Sequence, residues 1–136
     1  MTIISRPYAD TDLPLLQATH ARWIQQAGDC GYCHVGDIPH RIYNGNRGRL
    51  PQEEITRLWE NGGEIVGYVM VAPYYNGFDA FVSPHCRGTD TEREMLQWGY
   101  ETSRRFMNQI ERADKAVMTD VVEGDTLRRP AWWVDC

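Results

Sequence analysis

The chain has 136 residues, of which 42% are hydrophobic and 24% charged, and its formal net charge is −5. This mixture is that of an ordinary globular protein, and the length predicts a single domain over residues 1–136. The negative charge argues against nucleic acid as a partner. No segment is long and apolar enough to span a membrane, and the N-terminus lacks the basic region followed by an apolar region that marks a secretion signal. We therefore expect a cytoplasmic protein without a membrane partner.

The first part of the chain predicts one strand followed by two helices. A short strand ends at Pro7, since proline cannot continue the ladder. A helix capped by Asp10 or Thr11 has apolar residues at spacings of three and four and ends at Gly28. A second, shorter helix is predicted near residues 38–43.

The middle of the chain predicts an antiparallel meander, because the hydrophobic period changes there from helical to two. Residues 54–60 and 64–72 form two strands joined by a hairpin turn at residues 61–63. Residues 78–82 form the third strand after another turn. Three consecutive strands with short connections are expected to lie side by side.

A long helix and a last strand complete the predicted order. Thr89 and Glu92 have the spacing of a capping box, and the helix behind them has an inner face made of Met95, Leu96, Gly99, Tyr100, Ser103, Phe106, Met107 and Ile110. Residues 116–122 form a continuous apolar strand. Because a helix connects this strand to residues 78–82, the two strands should be parallel. The order predicts an α/β (α+β) fold with a mixed sheet.

This order of elements, together with several short motifs, resembles the GNAT superfamily of N-acyltransferases. The motifs are Arg6-Pro7-Tyr8 with Asp10-x-Asp12-Leu13, His34-Val35-Gly36-Asp37, Val82-x-Pro84-x-x-Arg87-Gly88 and Met95-Leu96-x-Trp98. The second and fourth are similar to a branch in which two such domains are often joined in tandem. The resemblance covers about residues 2–127 and implies transfer of an acetyl or acyl group from acyl-CoA to the amine of a small molecule or peptide.

The resemblance also implies where acyl-CoA would bind. In the family, the strand before the long helix offers backbone groups to pantetheine, and the turn after it holds the pyrophosphate at the helix N-terminus. Phe81 and Val82 would therefore face the pantetheine of acetyl-CoA or another acyl-CoA. Arg87, Gly88 and Thr89 would contact the pyrophosphate.

Two departures from the family pattern favour an alternative function. Asp90 and Glu92 stand where the family has glycine or a small residue, and each brings a negative charge beside the pyrophosphate position. A complete domain continues after the parallel strand with one helix and two strands, so we expect a C-terminally truncated fold with residues 128–136 as an apolar tail. No tyrosine follows Tyr100 to act as the usual general acid. The alternative is a non-catalytic module for ligand binding or protein interaction.

The candidate residues for the acceptor amine are acidic and imidazole side chains. Glu60 and Glu64 flank the predicted cleft and are candidate catalytic bases, acting directly or through water, although solvated hairpin carboxylates are the alternative. His34 and Asp37 lie in a loop that covers the acceptor side in the related fold. Their alternative role is to form the entry to a helix, with Asp37 as its N-cap.

The cysteines and the C-terminal segment lead to two further expectations. Cys30-Gly31-Tyr32-Cys33-His34 matches the haem-attachment pattern and, with His40, a set of zinc ligands. Adjacent residues such as Cys33 and His34 have poor geometry for one ion, so we predict free thiols and no metal. The apolar strand at residues 116–122 and the tail need cover, which predicts a homodimer; the alternative is a monomer whose tail closes its own sheet.

Overall fold

A four-stranded sheet with helices on both faces forms the framework of the part of the chain that the structure describes. The computed structural model describes residues 2–28, 31–44, 46 and 48–119. The strands are β1 (Ile3–Pro7), β2 (Thr56–Asn61), β3 (Glu64–Ala72) and β4 (Gly77–Val82). They lie in the order β1-β2-β3-β4, and each neighbouring pair is antiparallel. The helices are α1 (Leu13–Ala27), α2 (Asp37–Pro39), α3 (Gln52–Ile55) and α4 (Asp90–Gln109).

The hairpin between β2 and β3 has the conformation that its glycines predict. Gly62 and Gly63 have φ angles of +59° and +84°, and a two-residue turn with both φ angles positive matches the twist of antiparallel strands. β3 is buried along most of its length, because helices cover both faces of the sheet. The predicted meander is therefore confirmed.

The alternation of side chains along the strands divides the core into two layers. On one face of the sheet α4 packs through Met95 and Phe106 against a layer that includes Val69, Val71, Phe78, Ala80 and Val82. On the other face α1 and α2 contribute Leu16, Trp23 and Ile38 to a layer that includes Leu58, Tyr68, Met70 and Phe81. No helix in the described ranges is long and apolar enough to cross a bilayer.

The start of the second predicted strand is instead a helical turn. Residues 52–55 form α3, and β2 begins only at Thr56. Pro51 holds an extended conformation at the N-cap, and Glu53 and Glu54 lie in the first turn, where negative side chains are favoured by the peptide dipoles. The turn also buries Ile55 completely. The second predicted helix is likewise split, into α2 and a π-helical turn over His40–Asn44.

The long helix is present as predicted, but its inner face differs at one side. Tyr100 is 41% exposed, whereas Thr102 is buried. The reason lies at Gly99, where an added Cβ would be 2.5 Å from the ring of Phe78. The helix therefore lies close to the sheet at Gly99, and the side chain of Tyr100, the next residue, is left partly exposed.

The last predicted strand is described as far as Thr119. Met118 forms a parallel bridge with Gly77: its N–H donates to the Asn76 oxygen (2.8 Å) and its oxygen accepts from the Phe78 N–H (3.0 Å). The predicted parallel orientation holds at this point. An added Cβ at Gly77 would lie 1.9 Å from the Met118 oxygen, so only glycine permits the approach. Residues 120–122 and the tail at 128–136 lie outside the described residues.

Candidate functional site

The predicted cofactor residues lie in one continuous segment, where β4 ends and α4 begins. Phe81 and Val82 are the last residues of β4, and Arg87 follows a 3-10 turn over Pro84–Cys86. Gly88 has a φ angle of +76°, which side chains of L-residues rarely tolerate. Thr89 is the N-cap of α4. The glycine therefore sets the angle at which the chain enters the helix.

The backbone of β4 presents its polar groups alternately to two sides. The Ser83 N–H donates to the Val66 oxygen of β3 (2.8 Å), whereas the Phe78 N–H donates to Met118 on the opposite side. Because peptide groups alternate along a strand, those of Ala80 and Val82 also face away from β3. Those of Phe81 face β3, and its side chain is buried in the core. Of the two residues predicted to face pantetheine, only Val82 presents its backbone at the outer edge.

Tyr32 reaches this outer edge from the loop after α1. Its hydroxyl donates to the Val82 oxygen at 2.7 Å, and the Arg87 guanidinium carbon lies 4.8 Å from the centre of its ring. The ring also lies 5.3 Å from that of His20. This residue was not selected from the sequence, because the Cys-x-x-Cys-His pattern was considered there only for its thiols and imidazoles. The aromatic side chain inside that pattern was the available signal.

Glu92 lies at the N-terminal turn of α4 and is only 3% exposed. Its Oε1 accepts from the Gly88 N–H at 2.9 Å. The Thr89 hydroxyl donates instead to the Cys86 oxygen at 2.6 Å, and no side chain caps α4 from its N-cap. The predicted capping box is therefore wrong: Glu92 has the right orientation, but the left-handed Gly88 brings its own amide to the carboxylate, one residue before Thr89.

Asp90, the other acidic residue of the turn, is in a different environment. Its side chain is 96% exposed and pairs with Arg93 one helical turn later, at 2.6 Å. Peptide dipoles at a helix N-terminus favour such a carboxylate even in water. The carboxylates of Asp90 and Glu92 are thus close in the sequence, but one is exposed to solvent and the other is buried.

Glu60 belongs to an ion-pair network on the α1 side of the sheet. Arg6 donates through Nε to Glu60 (2.9 Å) and through both terminal nitrogens to Asp12 (2.8 Å each). Hydrogen bonding to Arg6 lowers the pKa of Asp12. Glu60 and Val82 lie at the same end of the sheet, on strands separated by β3, so their backbones are roughly 10 Å apart. Glu64 is exposed at the start of β3.

His34 and Asp37 are both exposed in the loop that leads into α2. The Gly36 N–H donates to His34 Nδ1 at 3.0 Å, and the Asp37 N–H donates to the His34 oxygen at 2.9 Å. Gly36, not Asp37, is the N-cap. Both residues thus lie in the loop that follows Tyr32, and their role toward an acceptor amine stays a prediction.

Of the possible zinc ligands, the structure describes Cys33, His34 and His40. Burial raises the pKa of the Cys33 thiol to about 11, and His40 Nδ1 is 2.9 Å from the Asn44 amide nitrogen. Among the described residues, no three metal-ligating side chains lie together. Cys30 lies outside the described residues.

His20 of α1 is fully buried, where it faces β3 and the loop that carries Tyr32. Its Nε2 is 2.7 Å from the Cys33 carbonyl oxygen, and its Nδ1 is 2.7 Å from the Tyr68 hydroxyl. Because a carbonyl only accepts, Nε2 carries the proton and Nδ1 accepts from Tyr68. Burial lowers the pKa of His20, which favours this neutral form. The imidazole thereby fixes the loop to the sheet.

Asp79 is a second residue that the sequence analysis did not select. It is the acidic residue of β4, and its Oδ1 is 3.0 Å from Nη1 of Arg41. It borders a shallow cavity of about 210 Å³ whose other lining residues are Ala72, Tyr75, Gly77, Phe78, Met118 and Thr119. A carboxylate within an otherwise apolar strand was the signal for it in the sequence.

No protein-family model and no curated protein matches the sequence, but solved structures match the fold. A GCN5-related N-acetyltransferase from Sphaerobacter thermophilus superposes with a TM-score of 0.65 at 20% identity, over 93% of this chain and 41% of that one. A ribosomal-protein-alanine N-acetyltransferase from Brucella melitensis superposes with a TM-score of 0.53 at 20% identity, over 76% of this chain and 68% of that one. A GNAT-superfamily phosphinothricin acetyltransferase from Sinorhizobium meliloti, in complex with AcCoA, superposes with a TM-score of 0.54 at 14% identity, over 77% of this chain and 61% of that one.

These similarities confirm the predicted fold. The described part of the chain is a partial GNAT fold, with the antiparallel sheet and long helix of these acetyltransferases. The chain spans less than half of the Sphaerobacter structure, 68% of the Brucella structure and 61% of the Sinorhizobium structure.

Proposed function

We propose that this chain is an acyl-CoA-dependent N-acyltransferase that transfers an acetyl or other acyl group to an amine. The observation that carries the proposal is the junction of β4 and α4 within a GNAT fold. There the outward backbone groups of Val82 lie beside Arg87, a left-handed Gly88 and the N-terminus of a twenty-residue helix. Two of the structural neighbours are complexes with acetyl-CoA.

The residues at this junction fit an acyl-CoA in their backbone conformation. The outer edge of β4 supplies donors and acceptors at Ala80 and Val82 for an amide-containing arm. Arg87 supplies a positive charge, and the N-terminus of α4 favours an anion. The Gly88 amide is available only when Glu92 moves away from it. Catalysis would consist mainly of holding amine and thioester in contact and polarising the carbonyl with backbone N–H groups.

The acceptor amine would approach from the α1 side, where the loop with His34 and Asp37 lies. Glu64 is the freer of the two predicted bases, because Glu60 shares Arg6 with Asp12. Asp79 is a further candidate, since it borders the cavity beside β4. A base there must reach the amine directly or through one water molecule.

Calorimetric titration with acetyl-CoA tests the cofactor half of the proposal, and release of the CoA thiol in the presence of an amine panel tests the reaction. We expect acetyl-CoA to bind and to raise the melting temperature by mass action. Gly88→Glu should abolish that shift, with circular dichroism to verify that the variant folds. Absence of binding at millimolar acetyl-CoA, by both the natural chain and Glu92→Ala, would contradict an enzymatic function.

A second candidate function is a non-catalytic GNAT-fold module, and the Glu92 contact favours it. A protein that no longer binds CoA can keep a carboxylate on the Gly88 amide permanently. Its signature would be a folded Glu92→Ala variant that neither binds acetyl-CoA nor releases its thiol with any amine.

A further inference from the structure

We infer that the free chain closes its own acyl-CoA site, with the side chains of Tyr32 and Glu92 on backbone groups that the ligand needs. This inference rests on the proposed function. The two contacts come from different parts of the fold: Tyr32 follows α1, and Glu92 lies in α4. They bind the two ends of the same short segment, at Val82 and at Gly88.

The Glu92 contact imitates a bound anion. Its carboxylate is almost fully buried, carries negative charge to the N-terminal turn of α4 and accepts the Gly88 N–H at 2.9 Å. A phosphate oxygen would use the same amide and the same peptide dipoles. Two anions cannot share one donor at hydrogen-bond distance without strong repulsion. A phosphate group can therefore bind at Gly88 only after the carboxylate has turned away.

The Tyr32 contact covers the neighbouring part of the segment. Its hydroxyl donates to the outward carbonyl of Val82, and its ring lies against the Arg87 guanidinium. A single side chain thus engages both a backbone acceptor of β4 and the positive charge next to the turn. Its ring is also in contact distance of His20, Trp23 and Phe81, which holds the loop in the closed position.

Closure of this kind lowers the apparent affinity by the fraction of molecules that are open. A hydrogen bond to a charged group is strong enough that removing the Glu92 carboxylate should raise affinity for a phosphate-containing ligand about tenfold or more. Tyr32→Phe removes the hydroxyl and keeps the ring packed, so a gain of only a few-fold is expected.

The first test uses inorganic pyrophosphate as the probe, followed through the ¹⁵N NMR signal of the Gly88 amide. We compare the natural chain with Glu92→Ala and with Glu94→Ala, which removes the same charge from an exposed position of the same helix. Glu92→Ala should show a pyrophosphate-dependent shift of Gly88 with at least about tenfold tighter binding. Glu94→Ala should behave as the natural chain does.

Equal pyrophosphate affinity in all three proteins, or no binding by Glu92→Ala, overturns the closure. If Glu92→Ala does not fold, Glu92→Gln provides the comparison: it keeps an acceptor for Gly88 without the charge, and a smaller gain is expected, whereas no gain overturns the inference.

Acetyl-CoA then separates the closure from the proposed function. If Glu92→Ala gains pyrophosphate binding at Gly88 but binds no acetyl-CoA, Glu92 closes an anion site at Gly88, and the proposed function fails. If the natural chain and Glu92→Ala bind acetyl-CoA equally tightly, the cofactor half of the proposed function stands and the closure fails.

Discussion

The buried imidazole of His20 should make the stability of the fold decrease below neutral pH. Burial, reinforced by the nearby positive charge of Arg41, lowers its pKa in the folded state, although the Cys33 carbonyl opposes the shift. In the unfolded chain the imidazole titrates near its ordinary value of about 6.5. Below that pH the unfolded state binds a proton that the folded state does not, so acid favours unfolding.

The size of the effect follows from the linkage of protonation to folding. While His20 stays neutral in the folded chain, each pH unit below about 6.5 removes roughly 1.4 kcal/mol of stability. Between about pH 7.5 and 5.5 the summed loss is at most about 1.4 kcal/mol, reached when His20 stays neutral in the folded chain throughout, because the first part of this range lies above the unfolded pKa. For a chain of this length that corresponds to roughly 3 to 6 °C in Tm. The contribution of the neutral His20 to stability is fully present above the pKa of this residue in the unfolded chain and is lost as the pH falls below it.

Urea unfolding at a series of pH values and constant ionic strength measures this contribution. His20→Gln removes the titrating group, and His85→Gln removes an exposed imidazole as a matched control. The difference in free energy of unfolding between the natural chain and His20→Gln should shrink as the pH falls from about 7.5 to 5.5, by up to about 1.4 kcal/mol. The corresponding difference between the natural chain and His85→Gln is measured in parallel. A difference from His20→Gln that does not change with pH would refute the reasoning.

Three other predictions concern the sheet and its edges. Gly77→Ala places a Cβ 1.9 Å from the Met118 oxygen and should lower the free energy of unfolding in urea by at least about 2 kcal/mol. Gly36→Ala, with only the flexible His34 ring nearby, should be tolerated, and equal losses of stability in the two variants would contradict the close approach at Gly77. Arg6→Lys loses the paired hydrogen bonds to Asp12 and should lower the free energy of unfolding by about 1 kcal/mol. Arg93→Lys, at the exposed pair with Asp90, should lower it less; a larger loss from Arg93→Lys than from Arg6→Lys would contradict the ion-pair network. The homodimer is tested by light scattering on the full chain, and a monomer at tens of micromolar would contradict it.

The sequence predicted the order of strands and helices because hydrophobic period and turn residues act locally. The hairpin at Gly62-Gly63 and the strand from Glu64 to Ala72 have the predicted bounds. Local signals were misleading where two of them compete. The alternation before Thr56 resembles a strand, but the residues after Pro51 gain more from one helical turn with acidic residues at its start.

The site was less predictable, because its contacts join residues distant in sequence. Tyr32 and Val82 are 50 positions apart, and Arg6 and Glu60 are 54 apart. Motif spacing selected the segment from Phe81 to Thr89 as the candidate site but carries no information about which side chain from another element covers it. The same limit applies to Glu60, whose position on its strand was predicted but whose pairing with Arg6 was not.

The two acidic residues of the turn before α4 show what a sequence alone cannot weigh. From the sequence, Asp90 and Glu92 repel a phosphate equally, since both stand at positions where the family has small residues. In the structure Asp90 is in water beside Arg93, where solvent and counterions screen its charge. Glu92 is buried and occupies the Gly88 amide itself, so it competes for the donor in addition to repelling the anion. The effect of each carboxylate on binding is therefore set by burial, and Glu92 is the one whose removal should change the affinity of the site.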